Sequence, residues 1–156
     1  SLWDNLAISA QRYPDKVALV FFGRTLTYRQ LKEGAERLAA YLATLGVKRG
    51  DRVALCMQNC PQLVMAHFAI LRANAVVVPV NPMNMTEELR HYVSDADARV
   101  IIAPQDLYKQ VQPLLAEGRA QQASLPEAPG LRHAIVADYS DYLPAETDLR
   151  VPAFVS

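Results

Sequence analysis

The stretch that decides the fold runs from residue 52 to residue 80 and reads RVALCMQNCPQLVMAHFAILRANAVVVPV. Its two ends, Arg52–Met57 and Ala75–Val80, are short apolar runs, and the second is rich in β-branched residues, so both are predicted strands. Between them Pro61 occupies the first position of a helix, where its missing amide costs nothing, and the helix runs to about Ala73. A strand, a helix and a strand in this order predict a parallel βαβ unit.

The same alternation continues toward the C-terminus. Thr86, followed by Glu87 and Glu88, begins a predicted helix that ends near Ser94. The remaining predicted elements are a strand at Arg99–Ala103, a short helix at Gln105–Gln112 that Pro113 breaks, a surface loop at Glu117–Gly130, and a last strand at Arg132–Ala137.

The N-terminal side is predicted to add helices and a hairpin. Ser1 caps a first helix, and two extended runs, Val17–Phe22 and Thr25–Thr27, are joined by a Gly23-Arg24 turn. Thr27 to Gln30 has the form of a capping box, and the long helix that follows ends at Gly46.

These patterns predict an α/β fold: a doubly wound, mostly parallel sheet with helices on both faces, plus a short N-terminal β-hairpin. We expect residues 1–137 to form an α/β subdomain and residues 138–156 to be a linker. Because the chain starts at Ser1 and stops in an apolar run, we expect it to be part of a larger N-terminal domain.

Charge and cysteine content exclude several classes of protein. The 16 basic and 16 acidic residues balance, which argues against nucleic acid as a partner, and the cluster of Lys48, Arg49 and Arg52 is interpreted as a solvated turn. Cys56 and Cys60 lack the spacing of a redox pair or a zinc site and indicate reduced thiols in a cytoplasmic protein. Amides and a proline within the uncharged residues 53–71 argue against a transmembrane segment.

The usual catalytic signatures are absent. The six glycines are too widely spaced for a dinucleotide-binding or P-loop motif, and the serine-hydrolase elbow GxSxG does not occur. His67, His91 and His133 lie on separate predicted elements, so we expect no metal site. No residue of this chain is a candidate catalyst.

Ligands of doubly wound sheets bind at the carboxyl ends of the strands, which directs attention to the loops at residues 58–61, 81–86 and 104–105. The candidate rim of a substrate pocket comprises Asn59, Asn81, Pro82 and Met83. Simpler interpretations remain open for these residues. Asn59 or Cys60 is expected to cap a helix and Asn81 to form a turn, while core filling is favoured over ligand contact for Met83 and Met85.

Several strings resemble the adenylate-forming (AMP-binding) enzyme superfamily, which includes acyl-CoA synthetases, luciferases and peptide-synthetase adenylation domains. Leu26–Leu31 (LTYRQL) is similar to its first core motif and Leu71–Pro82 (LRANAVVVPVNP) to its second. Leu45–Leu55, the Asn59–Pro61 turn and Glu87–Leu89 match the same family in order. One departure is Asn74, where the family usually has glycine; we expect a small stability cost and no change of fold.

The resemblance implies an ATP-dependent acid–thiol ligase that forms an acyl-adenylate, aided by Mg²⁺, and transfers the acyl group to coenzyme A. Residues 137–144 look like the linker of fatty acyl-CoA ligases, which favours a medium or long-chain fatty acid, with aryl acids left open. The family's Ser/Thr/Gly-rich nucleotide-binding motif, its metal contacts and its catalytic lysine lie downstream of the resembling residues. The chain by itself is therefore expected to be inactive and to bind none of these ligands.

Two alternatives from other classes are kept. One is a free-standing α/β module that binds a small ligand without turnover, and the other is a module for self-association, including a homodimer. The resemblance also leaves open a peripheral membrane location, reached through the substrate.

Overall fold

The computed structural model describes residues 1–156. Its helices are Leu2–Arg12 (α1), Tyr28–Thr44 (α2), Pro61–Arg72 (α3), Thr86–Asp95 (α4) and Tyr108–Ser124 (α5). Its strands are Val17–Phe21 (β1), Arg24–Thr27 (β2), Arg52–Cys56 (β3), Val76–Val80 (β4), Val100–Pro104 (β5) and His133–Ala137 (β6). Short 3₁₀ turns follow β5 at Gln105–Leu107 and β6 at Tyr139–Tyr142. None of these helices has both the length and the hydropathy that a membrane-spanning segment requires.

Strands β3 to β6 form one parallel sheet in the order β4-β3-β5-β6, which confirms the predicted α/β class. The register sets Cys56 opposite Val80 and Leu55 opposite Ile102. From β3 the chain moves outward to β4, and it then returns past β3 to add β5 and β6. The connections after β3 and β5 therefore run in opposite directions, and this switch point lies between the carboxyl ends of those two strands.

The sheet is covered on both faces. Along β3, Val53 and Leu55 belong to a core shared with α2 and α3, whereas Ala54 and Cys56 belong to a core shared with α4 and α5. Both faces of this strand are therefore apolar, because alternate side chains enter different cores. Burial on both sides explains the continuous apolar runs in the sequence.

The N-terminal hairpin differs from the predicted one by a single residue. Phe21 pairs with Arg24, so the two turn residues are Phe22 and Gly23 rather than Gly23-Arg24. Both have positive φ, 48° and 94°, as a type I′ turn requires. The Phe22 ring contacts Phe21 edge-on at 4.7 Å, and both rings pack against the core, which offsets the unfavourable backbone conformation.

Helix α5 corrects a second prediction. Pro113 was expected to break the helix and Glu117–Gly130 to form a loop, but the helix continues through Pro113 to Ser124. Proline inside a helix costs about 3 kcal/mol. The side chains around it, Val111, Leu114 and Leu115, are buried in the core beneath the sheet, and this burial outweighs the local preference.

Local helix signals elsewhere are confirmed. In the Thr27–Gln30 capping box the Gln30 amide donates to Thr27 Oγ1 at 3.2 Å and the Thr27 amide donates to Gln30 Oε1 at 2.9 Å. Asn74 takes the left-handed conformation expected of it, with φ of 56°. Helix α2 is followed by Gly46 at φ 82°.

The segment after β6 packs against the subdomain. Tyr139 and Val155 are buried in the core on the α2–α3 face, and the Tyr139 and Phe154 rings lie 5.9 Å apart. Arg24 donates from Nη1 to the carbonyl oxygens of Asp141 and Leu143 at 2.9 and 3.2 Å. The boundary at residue 137 remains a prediction, but two side chains of the segment 138–156, Tyr139 and Val155, pack into the core of the subdomain.

Candidate functional site

The carboxyl edge of the sheet is defined here by the segments that follow its strands, in the spatial order of the strands: residues 81–85, residues 57–62 with the start of α3, residues 105–107, and residues 138–142. Three helices begin at this edge. The first turns of α4 and α5 adjoin acidic residues, with Glu87 and Glu88 in α4 and Asp106 in the 3₁₀ turn that precedes α5. These carboxylates neutralise the positive ends of both helix dipoles.

The loop after β3 is held by two hydrogen bonds to the segment after β6. The Gln58 amide donates to the hydroxyl oxygen of Tyr139 at 2.9 Å, and Gln62 Nε2 donates to the Asp138 carbonyl oxygen at 2.5 Å. Gln62 is buried, and its Oε1 has no hydrogen-bond partner. No local pattern of residues indicates the roles of Gln62 and Tyr139, because their contacts join residues more than 70 positions apart.

Asn59 is exposed, and Cys60 rather than Asn59 caps α3: Cys60 Sγ accepts from the Leu63 amide at 3.3 Å. The alternative in which Asn59 is the cap is therefore wrong. The side-chain amide group of Asn59 therefore makes no hydrogen bond within the chain and lies at the carboxyl edge, beside the switch point.

Asn81 and Pro82 follow β4, next to the loop after β3. The side chain of Asn81 accepts from the Met83 amide at 2.9 Å, so turn formation occupies its Oδ1. No hydrogen bond joins the amide groups of Asn59 and Asn81, although both lie on adjacent loops of one edge. Pro82 is half-buried within the same turn.

The two methionines of this loop do not fill the core. Met83 is 75% exposed and Met85 is 59% exposed, which makes core filling, the favoured interpretation, wrong. Large thioether side chains that face solvent beside a ligand-binding edge can line an apolar surface. Whether they contact a substrate stays a prediction.

Neither cysteine is an activated nucleophile. Burial, with a smaller contribution from the nearby Asp106 carboxylate, raises the pKa of Cys56 to about 11. Burial also raises the pKa of Cys60, against the opposing effect of the Leu63 and Gln62 amides. Both thiols are free and remain protonated at neutral pH, where a protonated thiol is a poor nucleophile.

The loops of the carboxyl edge do not fit the phosphates of a nucleotide, and the residues of this chain do not fit a magnesium ion. No group of three or more histidine, cysteine or acidic side chains is placed to hold a metal. A phosphate-binding loop needs successive amides turned inward by residues of unusual backbone conformation. The residues with positive φ are Phe22, Gly23, Gly46, Gly50, Asn74, Asp97 and Gly130, none of them in the carboxyl-edge loops.

The ionisation of Tyr139 should make the stability of the chain depend on pH in the alkaline range. Burial raises the pKa of Tyr139 from 10.0 to about 12. The unfolded chain therefore loses this proton at a lower pH than the folded chain, so stability falls as pH rises from 10 to 12, by up to about 3 kcal/mol. We expect urea unfolding between pH 9 and 12 to show this decline in the parent chain and a shallower one in Tyr139→Phe. An equal decline of stability with pH in the two proteins would contradict this role of Tyr139. Cys56, whose pKa is also raised, accounts for part of the decline at pH 9–11 in both proteins.

The fold and this edge define the class: a parallel α/β subdomain that places exposed loops at a switch point of its sheet. The family model of the AMP-binding enzymes matches residues 6–150, and the chain belongs to that family. The resemblance drawn from the sequence motifs is thereby confirmed.

Named relatives and solved structures agree with this membership. The chain is 42% identical over 97 residues to a long-chain-fatty-acid–CoA ligase of Bacillus subtilis (strain 168), a match that covers 62% of the chain and 17% of that relative. A long-chain-fatty-acid–CoA ligase structure from Archaeoglobus fulgidus superposes with a TM-score of 0.73 at 26% identity, covering 88% of the chain and 27% of that structure. The anthranilate CoA ligase AuaEII, solved with anthranoyl-AMP, gives a TM-score of 0.72 at 26% identity, covering 86% and 24% respectively. The chain thus spans less than one fifth of the length of the first of these relatives.

Proposed function

We propose that this chain is the N-terminal part of an ATP-dependent acid–CoA ligase whose substrate is a medium or long-chain fatty acid. The overall reaction joins the acyl group to the thiol of coenzyme A through an acyl-adenylate, with release of pyrophosphate and then AMP. The observation that carries the proposal is the family match over residues 6–150 together with relatives named as long-chain-fatty-acid–CoA ligases. Mg²⁺ is expected to assist, held by residues outside this chain.

Within that enzyme, the role proposed for this chain is scaffold and pocket rim. Asn59, Asn81, Pro82 and Met83 lie on adjacent loops at the carboxyl edge, where α/β sheets bind ligands. Hydrogen bonds from Gln58 and Gln62 to the 138–139 segment fix the loop that bears Asn59. A rim of this kind orients substrate by shape and leaves the chemistry to other residues.

The substrate class is tested on the complete gene product that contains this sequence. ATP–pyrophosphate exchange is measured with decanoate, palmitate and anthranilate as separate carboxylic acids. We expect exchange with the two fatty acids and at least about tenfold less with anthranilate, since pocket shape discriminates through differential transition-state binding. A preference for anthranilate would contradict the fatty acid assignment, and no exchange with any acid would contradict the ligase itself.

The division of roles is tested on the 156-residue chain alone, by calorimetric titration of the parent chain and of its Asn59→Ala and Asn81→Ala variants with ATP and palmitoyl-CoA. We expect both variants to give the same heats as the parent chain with either ligand, because the described residues form no nucleotide-binding loop at that edge. Saturable ATP binding that either variant abolishes would favour the alternative of a free-standing small-ligand module. Light scattering in the same samples tests the homodimer alternative.

A further inference from the structure

The amino-terminal edge of the sheet, opposite the candidate rim, carries a row of three arginines. Arg52 begins β3, Arg99 directly precedes β5, and Arg132 directly precedes β6. Val53 pairs with Val100, and Val100 pairs with His133, so the register aligns the three arginines across neighbouring strands. Three arginines thus lie side by side at the amino-terminal ends of three adjacent strands.

A surface cavity of about 430 Å³ opens at this edge, and all three arginines line it. Lys48 and His133 also line it, together with the acidic residues Asp51, Asp97 and Glu127. The lining therefore holds four permanent cations, namely Lys48, Arg52, Arg99 and Arg132, against three carboxylates. A volume of this size suits a small molecule rather than a single atomic ion.

Two of the three carboxylates are already committed to the fold. Asp97 accepts from Arg52 Nη2 at 2.8 Å, and Arg52 Nε also donates to the Ala96 carbonyl oxygen at 2.6 Å. Asp51 accepts from the backbone amide of Lys48 at 2.7 Å. Arg52 thus ties the start of β3 to the end of α4, while the ammonium group of Lys48 forms no ion pair.

The remaining two arginines share one weakly held acceptor. Glu127 lies 3.5 Å from Arg99 and 3.9 Å from Arg132, and its side chain is 81% exposed. Ion pairs this long and this exposed contribute little to stability. Arg132 also donates to the Pro126 carbonyl oxygen at 2.8 Å, which orients its guanidinium group at the cavity wall.

We propose that this cavity binds a phosphate-bearing small molecule, with Arg99, Arg132 and Lys48 as its phosphate contacts. The planar guanidinium fork matches the oxygens of a phosphate and binds them in bidentate fashion, and an ammonium group adds a point charge. The exposed carboxylate of Glu127 is the group that the phosphate displaces. Because the cavity lies on the opposite edge of the sheet from the candidate rim, this proposal does not depend on the proposed function.

Calorimetric titration of the 156-residue chain with pyrophosphate and with AMP at low ionic strength tests the site, the first as a diphosphate and the second as a phosphomonoester. We expect saturable binding of at least one of them. Arg99→Gln and Arg132→Gln are each expected to weaken it about tenfold through loss of a charge-assisted hydrogen bond. Glu127→Gln is expected to tighten it about threefold, because it removes the competing carboxylate.

Matched control variants distinguish binding at this cavity from a general effect of the net charge of the protein. Arg12→Gln and Glu146→Gln make the same charge changes at exposed positions that do not line the cavity, and each should alter affinity less than about twofold. Thermal unfolding checks every variant; if Arg132→Gln fails to fold, Arg99→Gln and Glu127→Gln decide the question. Absence of saturable heat with both probes, or equal effects of the control and cavity variants, would overturn the proposal.

Discussion

Replacement of Gly118 by alanine is expected to lower the free energy of unfolding by about 3 kcal/mol and the melting temperature by roughly 10 °C. A Cβ at this position would stand 2.2 Å from the backbone carbonyl oxygen of Leu131 and 3.0 Å from its C and N atoms. Backbone atoms cannot rotate away, so α5 and the segment before β6 would have to separate. Leu131 is fully buried between them, and separation would loosen the packing around it.

Gly34→Ala provides the matched control for that variant. Gly34 is also a buried glycine inside a helix, but a Cβ there would meet the Sδ and Cε atoms of Met65, at 2.6 and 2.5 Å. The end of a methionine side chain can adopt another rotamer, so this variant should lose much less, about 1 kcal/mol. Urea unfolding followed by circular dichroism measures both. A Gly118→Ala protein as stable as the parent chain would contradict the close approach.

The sheet, its order of elements and most helix boundaries follow from local patterns in the sequence. Strands β3 and β5 are buried on both faces, so each reads as an unbroken apolar run bounded by polar residues, and the capping box at Thr27 fixes the start of α2 within one residue. These signals depend only on residues close in sequence, and no tertiary contact in the fold acts against them.

The failures occur where a tertiary contact opposes a local preference. Pro113 and Gly118 both disfavour a helix by intrinsic propensity, yet the first is held by buried neighbours and the second is required by the Leu131 backbone. The hairpin turn likewise includes Phe22, an unfavourable residue for positive φ, because its ring packs against the core. None of these three contacts can be inferred from a window of neighbouring residues.

The position of the candidate loops could be predicted from the sequence, but their contacts could not. The rule that ligands gather at the carboxyl ends of parallel strands directs attention to the loops of Asn59 and Asn81, and both loops do lie at that edge. The exposure of Met83 and the hydrogen bond between the Gln58 amide and the Tyr139 hydroxyl oxygen, called here the Gln58–Tyr139 clamp, depend on how distant segments pack. The ligand contacts of the four rim residues stay a prediction.

The largest effect at this edge is expected from Tyr139→Ala, which should lower the free energy of unfolding by about 3–5 kcal/mol, in the range found for buried aromatic truncations. Tyr139 is 3% exposed in the core, its ring packs against Phe154, and its hydroxyl oxygen accepts from the Gln58 amide at 2.9 Å. Truncation therefore opens a cavity and leaves a part-buried amide without its acceptor at the same time.

Tyr139→Phe separates these two causes, because it keeps the ring and removes only the hydroxyl group. We expect it to lose about 1–2 kcal/mol, the cost of leaving the Gln58 amide unpaired. Tyr142→Phe is the matched control: its hydroxyl group makes only a 3.9 Å contact with Met65 Sδ, so stability should change by less than about 0.5 kcal/mol. Hydrogen exchange at Gln58 reports directly on the loop that carries Asn59, and it should accelerate in both Tyr139 variants but not in the control. Unchanged exchange at Gln58 in Tyr139→Ala would mean that the rim is held by contacts other than this clamp.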